Sequence, residues 1–139
     1  MKRLGWLFLA IAGMAHAENS ITRGDVVVHY NAVPSVTLAP QVARQYAITR
    51  SANRALVNIA VLKQDVAVAA KVSGSATNLT GQRQELAVRE VREGDALYYL
   101  AEPRIADRET LDFDLLVTPA GSNDAIVVKF RQEFFALSP

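Results

Sequence analysis

The sequence predicts an all-β protein: a single immunoglobulin-like sandwich of two sheets, with about seven antiparallel strands and one short helix between the first two. Three observations support this prediction. Hydrophobic residues alternate with period two through most of the chain. Glycines and turn-forming residues separate the alternating runs about every dozen residues. No internal repeat or linker-like stretch interrupts the pattern. A closed barrel also fits, because alternation alone does not show how the sheets close.

The first seventeen residues have the pattern of a cleaved export signal. Met1-Lys2-Arg3 supplies positive charge, a short apolar run extends from Leu4 to Met14, and Ala15-His16-Ala17 has the small residues that signal peptidases prefer. The apolar run is shorter than the ~20 residues that a helix needs to span a bilayer. We therefore expect a signal peptide over residues 1–17 and a mature, periplasmic β-sandwich domain over residues 18–139.

The composition of the mature chain excludes several classes of protein. The full chain has 15 basic and 14 acidic residues, and loss of Lys2 and Arg3 leaves 13 against 14, a net charge of −1. A near-neutral chain without a basic run lacks the charge pattern of a nucleic-acid binder. The export signal also contains the tryptophan, both methionines and one histidine, so His29 is the only mature histidine and cysteine is absent throughout. Zinc, copper and iron sites are built from clusters of these residue types. We therefore expect no metal and no other cofactor.

Seven alternating runs are predicted as strands, and the last two have the clearest pattern. They span residues 25–33, 54–63, 66–75, 82–92, 96–101, 111–118 and 126–135. The second run is apolar at nearly every position, which predicts burial on both faces. Asn58 interrupts it and requires hydrogen-bond partners if it is buried. Turn-forming residues from Pro119 to Asp124 predict a hairpin between the last two strands.

The segment from Ala39 to Tyr46 departs from this alternation. Val42, Ala43 and Tyr46 have helical spacing, and Pro40 suits the first position of a helix. The segment is therefore predicted as a short helix of about two turns that packs over one end of the strands.

Three segments near the start of the mature chain resemble one bacterial family. They are residues 28–32 (VHYNA), 38–48 (LAPQVARQYAI) and 50–59 (RSANRALVNI). Together they resemble the family catalogued as domain of unknown function 4426, and the likeness is densest from Gly24 to Val61. The resemblance implies a small exported protein of Gram-negative bacteria with no assigned activity. Residues 33–36 (VPSV) depart from the family pattern, which has a phenylalanine and a small polar residue there, so the resemblance does not define the local shape of this loop.

Polar and aromatic residues around the predicted helix are candidate binding residues. They are His29, Tyr30, Asn31, Tyr46, Arg50, Ser51 and Asn53. Loops held by a rigid sandwich commonly carry binding sites. Each residue also has a structural interpretation, because asparagine and serine favour turns and tyrosine covers apolar cores. His29 is the one possible imidazole base of the mature chain, but no Gly-x-Ser-x-Gly motif accompanies it. No catalytic residue is therefore assigned.

Asp112 and Asp114 form a second candidate group on one face of a predicted strand. Paired carboxylates can exchange protons with a substrate or bind calcium. Their alternation with apolar neighbours also explains them as the solvated face of the strand. Calcium would require further oxygen ligands from another loop, so the solvated face is the favoured interpretation.

The sequence therefore favours a noncatalytic binding or accessory module, with an envelope or periplasmic protein as its partner. Two alternatives stay open: a small hydrolase or lyase that uses carboxylates, and a small-ligand carrier with a pocket under the helix. An enzyme would bring carboxylates together with His29 in a cleft, whereas a carrier would enclose an apolar cavity. Neither nucleic-acid binding nor a membrane span is expected of the mature chain. The sequence does not predict the oligomeric state.

Overall fold

Two antiparallel sheets pack face to face in the computed structural model of the chain, which describes residues 19–135. This arrangement confirms the predicted immunoglobulin-like sandwich. The predicted signal peptide, residues 1–17, lies outside the described residues. Within residues 19–135, no helix has the length and apolar character needed to cross a membrane.

Sheet one contains six strands in the order β1-β2-β3-β8-β7, with the short β4 paired to β3. Their bounds are β1 Asn19–Arg23, β2 Val26–Pro34, β3 Ala55–Lys63, β4 Val66–Ala67, β7 Arg89–Glu93 and β8 Ala96–Ala101. Sheet two contains four strands in the order β10-β9-β5-β6. Their bounds are β5 Ala70–Asn78, β6 Arg83–Glu85, β9 Glu109–Pro119 and β10 Ile126–Phe134. The predicted hairpin joins β9 to β10.

Two of the predicted strands are each divided between the sheets. The predicted run over residues 66–75 crosses at Val68–Ala69: the amide of Val68 bonds to the carbonyl of Val61 in sheet one, and the carbonyl of Ala69 accepts from Ala120 beside sheet two. The predicted run over residues 82–92 likewise divides into β6 and β7. The described part of the chain also contains β1, which was not predicted because its sequence, NSITR, has a single apolar residue.

The core between the sheets is built from alternate residues of the facing strands. The inward residues of β9 are almost fully buried: Leu111, Phe113, Leu115 and Val117. Phe113 stacks on Phe130 of β10, with ring centroids 4.7 Å apart. Phe134 is also buried, whereas the next residue, Phe135, is 53% exposed. Alternate residues of the last two strands therefore face the core.

The outer face of sheet one is also covered, as the apolar sequence of β3 predicted. Every residue from Ala55 to Val61 is buried. Odd-numbered residues of β3, such as Val57 and Ile59, face the core between the sheets, whereas Leu56 and Ala60 belong to a second apolar cluster. That cluster also contains residues of the helical segment: Leu38, Ala43, Tyr46 and Ile48.

A short helix lies between β2 and β3, as predicted. A 3₁₀ turn over Ser35–Thr37 leads into α1, which spans Pro40–Gln45 with proline in the first turn. The helix ends with two backbone bonds, from Ile48 N to Ala43 O (2.8 Å) and from Ala47 N to Arg44 O (3.2 Å). This is a Schellman cap, in which the residue at the Ala47 position is usually glycine. Ala47 adopts the left-handed conformation, with φ of 55°.

Candidate functional site

The register of sheet one brings four polar side chains onto one area of its outer face. Asn31 of β2 is the direct cross-strand partner of Asn58 of β3, and Ser20 of β1 is the partner of His29. His29 and Asn31 are two residues apart on β2, so they point to the same face as each other. We call Ser20, His29, Asn31 and Asn58 the polar patch.

The two asparagines of the polar patch are buried. Asn58 is 1% exposed and Asn31 is 8% exposed. In the described part of the chain, neither Oδ1 nor Nδ2 of Asn58 has a hydrogen-bond partner, and Oδ1 of Asn31 also has none. Buried polar atoms in folded proteins are nearly always hydrogen-bonded. This arrangement is therefore the chemically unusual feature of this face.

Apolar side chains surround Asn58 on the same face. Leu56 and Ala60 lie two residues before and after it on β3, and Leu100 of β8 is its cross-strand partner on the other side. All three belong to the cluster that the helical segment covers. The polar patch therefore lies beside the apolar contact between sheet one and the helical segment.

The carboxylate of Glu93, on the edge strand β7, fixes the end of α1 to sheet one. It accepts hydrogen bonds from the hydroxyl of Tyr46 and from Nε2 of Gln45, the latter at 2.7 Å. Burial, and secondly the adjacent Glu93 carboxylate, raise the pKa of the Tyr46 hydroxyl above its usual value. Tyr46 is thus a neutral donor that anchors the helix.

Arg89 supplies the second anchor of α1. Its guanidinium donates to the carbonyl oxygens of Tyr46 and Ala47, the latter at 3.3 Å. These carbonyls lie at the carboxyl end of the helix, where a cation is favoured by the helix dipole. Two residues of one edge strand therefore hold the helix in place.

Arg50, Ser51 and Asn53 stabilise the loop that follows the helix. Arg50 donates through Nε to the carbonyl of Leu38 (2.8 Å) and through Nη2 to the carbonyl of Val36 (3.0 Å). The amide of Ser51 donates to Oγ of Ser35 (2.9 Å), and this hydroxyl donates back to the carbonyl of Ser51 (3.0 Å).

Asn53 joins the same loop to the segment after β8. The backbone carbonyl of Asn53 accepts a hydrogen bond from the backbone amide of Ile105 at 2.8 Å. The backbone amide of Asn53 donates to Oγ of Ser51 at 3.1 Å. The excursion between β2 and β3 is therefore a rigid, internally bonded surface.

The seven candidate binding residues consequently occupy three places. His29 and Asn31 lie together in the polar patch, while Tyr46, Arg50, Ser51 and Asn53 support the helical segment. Tyr30 points to the opposite face of β2, where it packs between the sheets against Phe130 with ring centroids 4.8 Å apart. Tyr30 therefore does not line a surface shared with its two neighbours in the sequence.

The carboxylates of β9 lie on the solvated outer face of sheet two. Asp112 accepts two hydrogen bonds from Arg131, from Nε at 2.6 Å and from Nη2 at 3.0 Å. Asp114 lies 3.9 Å from Nζ of Lys129. The hydrogen bonds from Arg131 hold the pKa of Asp112 below its usual value. Both carboxylates are thus paired with a cation on the next strand.

The surface of sheet two has a concavity of about 640 Å³ beside these carboxylates. It is lined by Ser75, Thr77, Arg83, Asp112, Phe113, Asp114, Lys129 and Phe130. His29 lies on the other sheet, so the structure does not bring it to these carboxylates. Within residues 19–135, no three or more residues among His, Cys, Asp and Glu converge in a way that could hold a metal ion.

Sequence reasoning did not group Asn58 and Ser20 with the candidate site. The position of Asn58 within the apolar run of β3 was the feature of the sequence that could have identified it as a site residue. Its contact with Asn31 depends on the strand register, which the sequence did not reveal.

Comparison with known proteins places this geometry in context. The sequence profile of the family described as "Domain of unknown function (DUF4426)" matches residues 20–136. A crystal structure of a DUF4426 family protein from Pseudomonas aeruginosa PAO1 is 36% identical, with a TM-score of 0.77 over 87% of this chain and 97% of that one. None of the curated proteins matches the sequence.

More distant structures share the fold alone. FetP of uropathogenic Escherichia coli strain F11, expressed recombinantly in the periplasm, is 9% identical, with a TM-score of 0.59 over 88% of this chain and 96% of that one. A copper-bound variant of FetP is 10% identical, with a TM-score of 0.60 over 87% and 97% of the two chains. With its profile match and its 36% identical relative, this chain belongs to the DUF4426 family.

Proposed function

We propose that this protein is an exported, periplasmic module that binds a partner of the cell envelope without catalysing a reaction. The observation that supports it best is the rigid excursion between β2 and β3. Arg50, Ser35 and Ser51 bond it internally, and Glu93 and Arg89 anchor its helix. Long ordered connections in compact domains are often functional.

The helix also presents side chains that the fold does not use. Gln41 and Arg44 of α1 are exposed, and no residue from 19 to 135 forms a hydrogen bond or ion pair with their side chains. An amide and a guanidinium on a rigid support can recognise a protein surface at a low cost in conformational entropy. We therefore place recognition on the helix side of sheet one.

The carboxylate hydrolase has less support. An acid catalyst working near neutral pH requires a carboxyl group with a raised pKa. The pKa of Asp112 is lowered, and Asp114 lies beside Lys129. Both side chains are about half exposed, at 47% and 57%. Water therefore reaches them freely, which is unfavourable for acid–base catalysis by this pair.

Export rests on the sequence of residues 1–17, and the periplasmic expression of FetP is consistent with it. Protein recovered from the envelope fraction should begin at Glu18 by intact-mass measurement. Retention of Met1 on such protein would contradict signal cleavage.

We propose no metal for this chain, although one FetP structure is of a copper-bound variant. The mature chain has one histidine and neither cysteine nor methionine. Copper is usually held by these three residue types. Elemental analysis of protein purified without an affinity tag should detect no stoichiometric copper, zinc or iron. Near-stoichiometric copper that survives dialysis would overturn this part of the proposal.

The binding proposal is tested by capture from envelope extracts with the mature domain as bait. Variants on the helix side, Gln41→Ala and Arg44→Ala, should reduce recovery of the captured protein. The double variant Asp112→Asn with Asp114→Asn should not. Circular dichroism of each variant confirms folding. Loss of capture with the aspartate variant alone would contradict the placement of the site.

A further inference from the structure

The buried amide of Asn58 is not among the groups proposed above to bind a partner at the helix surface. Asn58 is the fourth residue of β3 and is 1% exposed. Its cross-strand neighbours are Asn31 on one side and Leu100 on the other. On its own strand it is flanked on the same face by Leu56 and Ala60. Apolar groups and one other amide therefore form its surroundings.

Three polar atoms in this area have no hydrogen-bond partner among residues 19–135: Oδ1 and Nδ2 of Asn58 and Oδ1 of Asn31. Exchanging the assignment of Oδ1 and Nδ2 in Asn58 would not satisfy either atom, because neither position has a hydrogen-bond partner. An unsatisfied buried amide is costly, whereas leucine of nearly the same shape would fit the apolar neighbours at no such cost. An asparagine at this position is therefore best explained by a bound molecule that meets these hydrogen-bonding groups.

The three atoms define the chemistry of that molecule. Nδ2 of Asn58 needs an acceptor, whereas the two Oδ1 atoms need donors. The molecule must therefore carry both a donor and an acceptor. A neutral molecule suits the apolar neighbours of Asn58, which are Leu56, Ala60 and Leu100, because an unpaired charge beside them is strongly disfavoured. Water is the smallest molecule of this kind, and a carboxamide offers the same chemistry on a larger scale.

We propose that Asn31 and Asn58 form a buried binding site for a small, neutral molecule that both donates and accepts hydrogen bonds. The molecule lies on the outer face of sheet one, beside the contact with the helical segment. It bridges the two amides and completes their hydrogen bonding. Ser20 and His29 form the neighbouring cross-strand pair on β1 and β2, and they lie on the side of the site opposite Leu100.

The first test asks whether Asn58→Leu lowers or raises the melting temperature. If a bound molecule satisfies the amides, Asn58→Leu removes its hydrogen bonds and should lower the melting temperature by at least about 3 °C. If nothing binds, the same change removes an unsatisfied amide and should raise the melting temperature. The exposed Asn123→Leu in the β9–β10 hairpin is the matched control and should leave it within about 1 °C. Asn31→Leu provides a second variant should Asn58→Leu fail to fold.

The second test identifies the source of the molecule in the unmodified mature domain. A high-resolution crystal structure should show an ordered water within about 3.2 Å of both amides if the site is a hydration site. Acetamide, titrated while the side-chain amide resonances are followed by NMR, tests the carboxamide source. Saturable shifts of the Asn58 resonance that persist in Asn123→Leu would identify a site open to solutes.

Either source supports the proposal. A rise in melting temperature on Asn58→Leu or Asn31→Leu would overturn it. So would a crystal structure without an ordered molecule at the amides, together with no saturable response to acetamide. Failure to capture an envelope partner would leave this result unchanged, so the two proposals can fail separately.

Discussion

The hydroxyl of Tyr46 donates a hydrogen bond to the carboxylate of Glu93, and this contact joins the end of α1 to the edge strand of sheet one. Gln45 donates to the same carboxylate, so one acidic side chain holds two successive residues of the helical segment. The sequence separation of 47 residues makes this a tertiary contact, which local helix propensity does not supply. A helix of six residues depends on such contacts for its stability.

The first prediction follows from this contact. Tyr46→Phe keeps the buried ring but removes the donor, and we expect it to lower the free energy of unfolding by about 1–2 kcal/mol. Glu93→Ala should cost at least as much, because Gln45 also loses its acceptor. Urea denaturation of both single variants and of the double variant measures their coupling. Strictly additive losses would show that the two side chains do not stabilise one another.

The second prediction concerns the helix cap at Ala47. Its left-handed backbone conformation is unfavourable for a residue with a Cβ atom. Ala47→Gly should therefore raise the free energy of unfolding by about 0.5–1 kcal/mol, after the greater flexibility of glycine in the unfolded chain is included. Ala52→Gly, an exposed position without positive φ, is the control and should be neutral or destabilising. A loss of stability in Ala47→Gly would contradict the cap geometry.

The third prediction concerns the close approach of β5 and β9. A Cβ atom added at Gly74 would lie 2.5 Å from the carbonyl oxygen of Asp114 and 2.6 Å from Cδ2 of Leu115. The backbone atom cannot move without disturbing the sheet, so Gly74→Ala should lower the free energy of unfolding by about 2 kcal/mol or more. Ser73→Ala, on the exposed side of the same strand, is the control for the loss of local strand structure. Equal stability of the two variants would rule out the clash.

The fourth prediction concerns the pH dependence of the pair formed by Asp112 and Arg131. The pKa of Asp112 is lowered in the folded protein, mainly by the hydrogen bonds from Arg131. A lowered pKa means that the pair contributes stability above the unfolded pKa of about 3.9, and that this contribution is lost as the pH falls through the folded value. Carboxyl titration by NMR should show Asp112 titrating below the usual range of an aspartate.

Arg131→Leu should return the Asp112 midpoint to the usual range. Because both side chains are exposed, the effect on overall stability should be small. An Asp112 pKa above the usual range, in either protein, would restore support for an acid catalyst on β9.

Much of the fold followed from alternation and turn chemistry, and the failures have definite physical causes. The double burial of β3 was correctly predicted from its run of apolar residues. The crossing at Val68–Ala69 was missed, because alternation continues through it and only the hydrogen bonds show the change of sheet. The strand β1 was missed because it is an edge strand whose residues are mostly exposed, so its sequence carries little hydrophobic pattern.

The candidate site was less predictable than the fold. Alternation alone already separates Tyr30 from His29 and Asn31, since neighbouring residues of a strand point to opposite faces. The prediction grouped Tyr30 with His29 and Asn31 because they are adjacent in sequence, although the strand pattern already places Tyr30 on the opposite face. The pairing of Asn31 with Asn58 depends on register, and the anchoring of Tyr46 by Glu93 depends on the order of strands in the sheet.

The central claim, recognition on the helix side without catalysis, is tested most directly by isothermal titration of the mature domain with its captured partner. Gln41→Ala with Arg44→Ala should raise the dissociation constant at least about tenfold, the equivalent of about 1.4 kcal/mol. Asp112→Asn with Asp114→Asn should change it less than about twofold, because its charges lie on the other sheet. Unchanged affinity in the folded helix-side variant, with loss of binding in the aspartate variant, would contradict the claim.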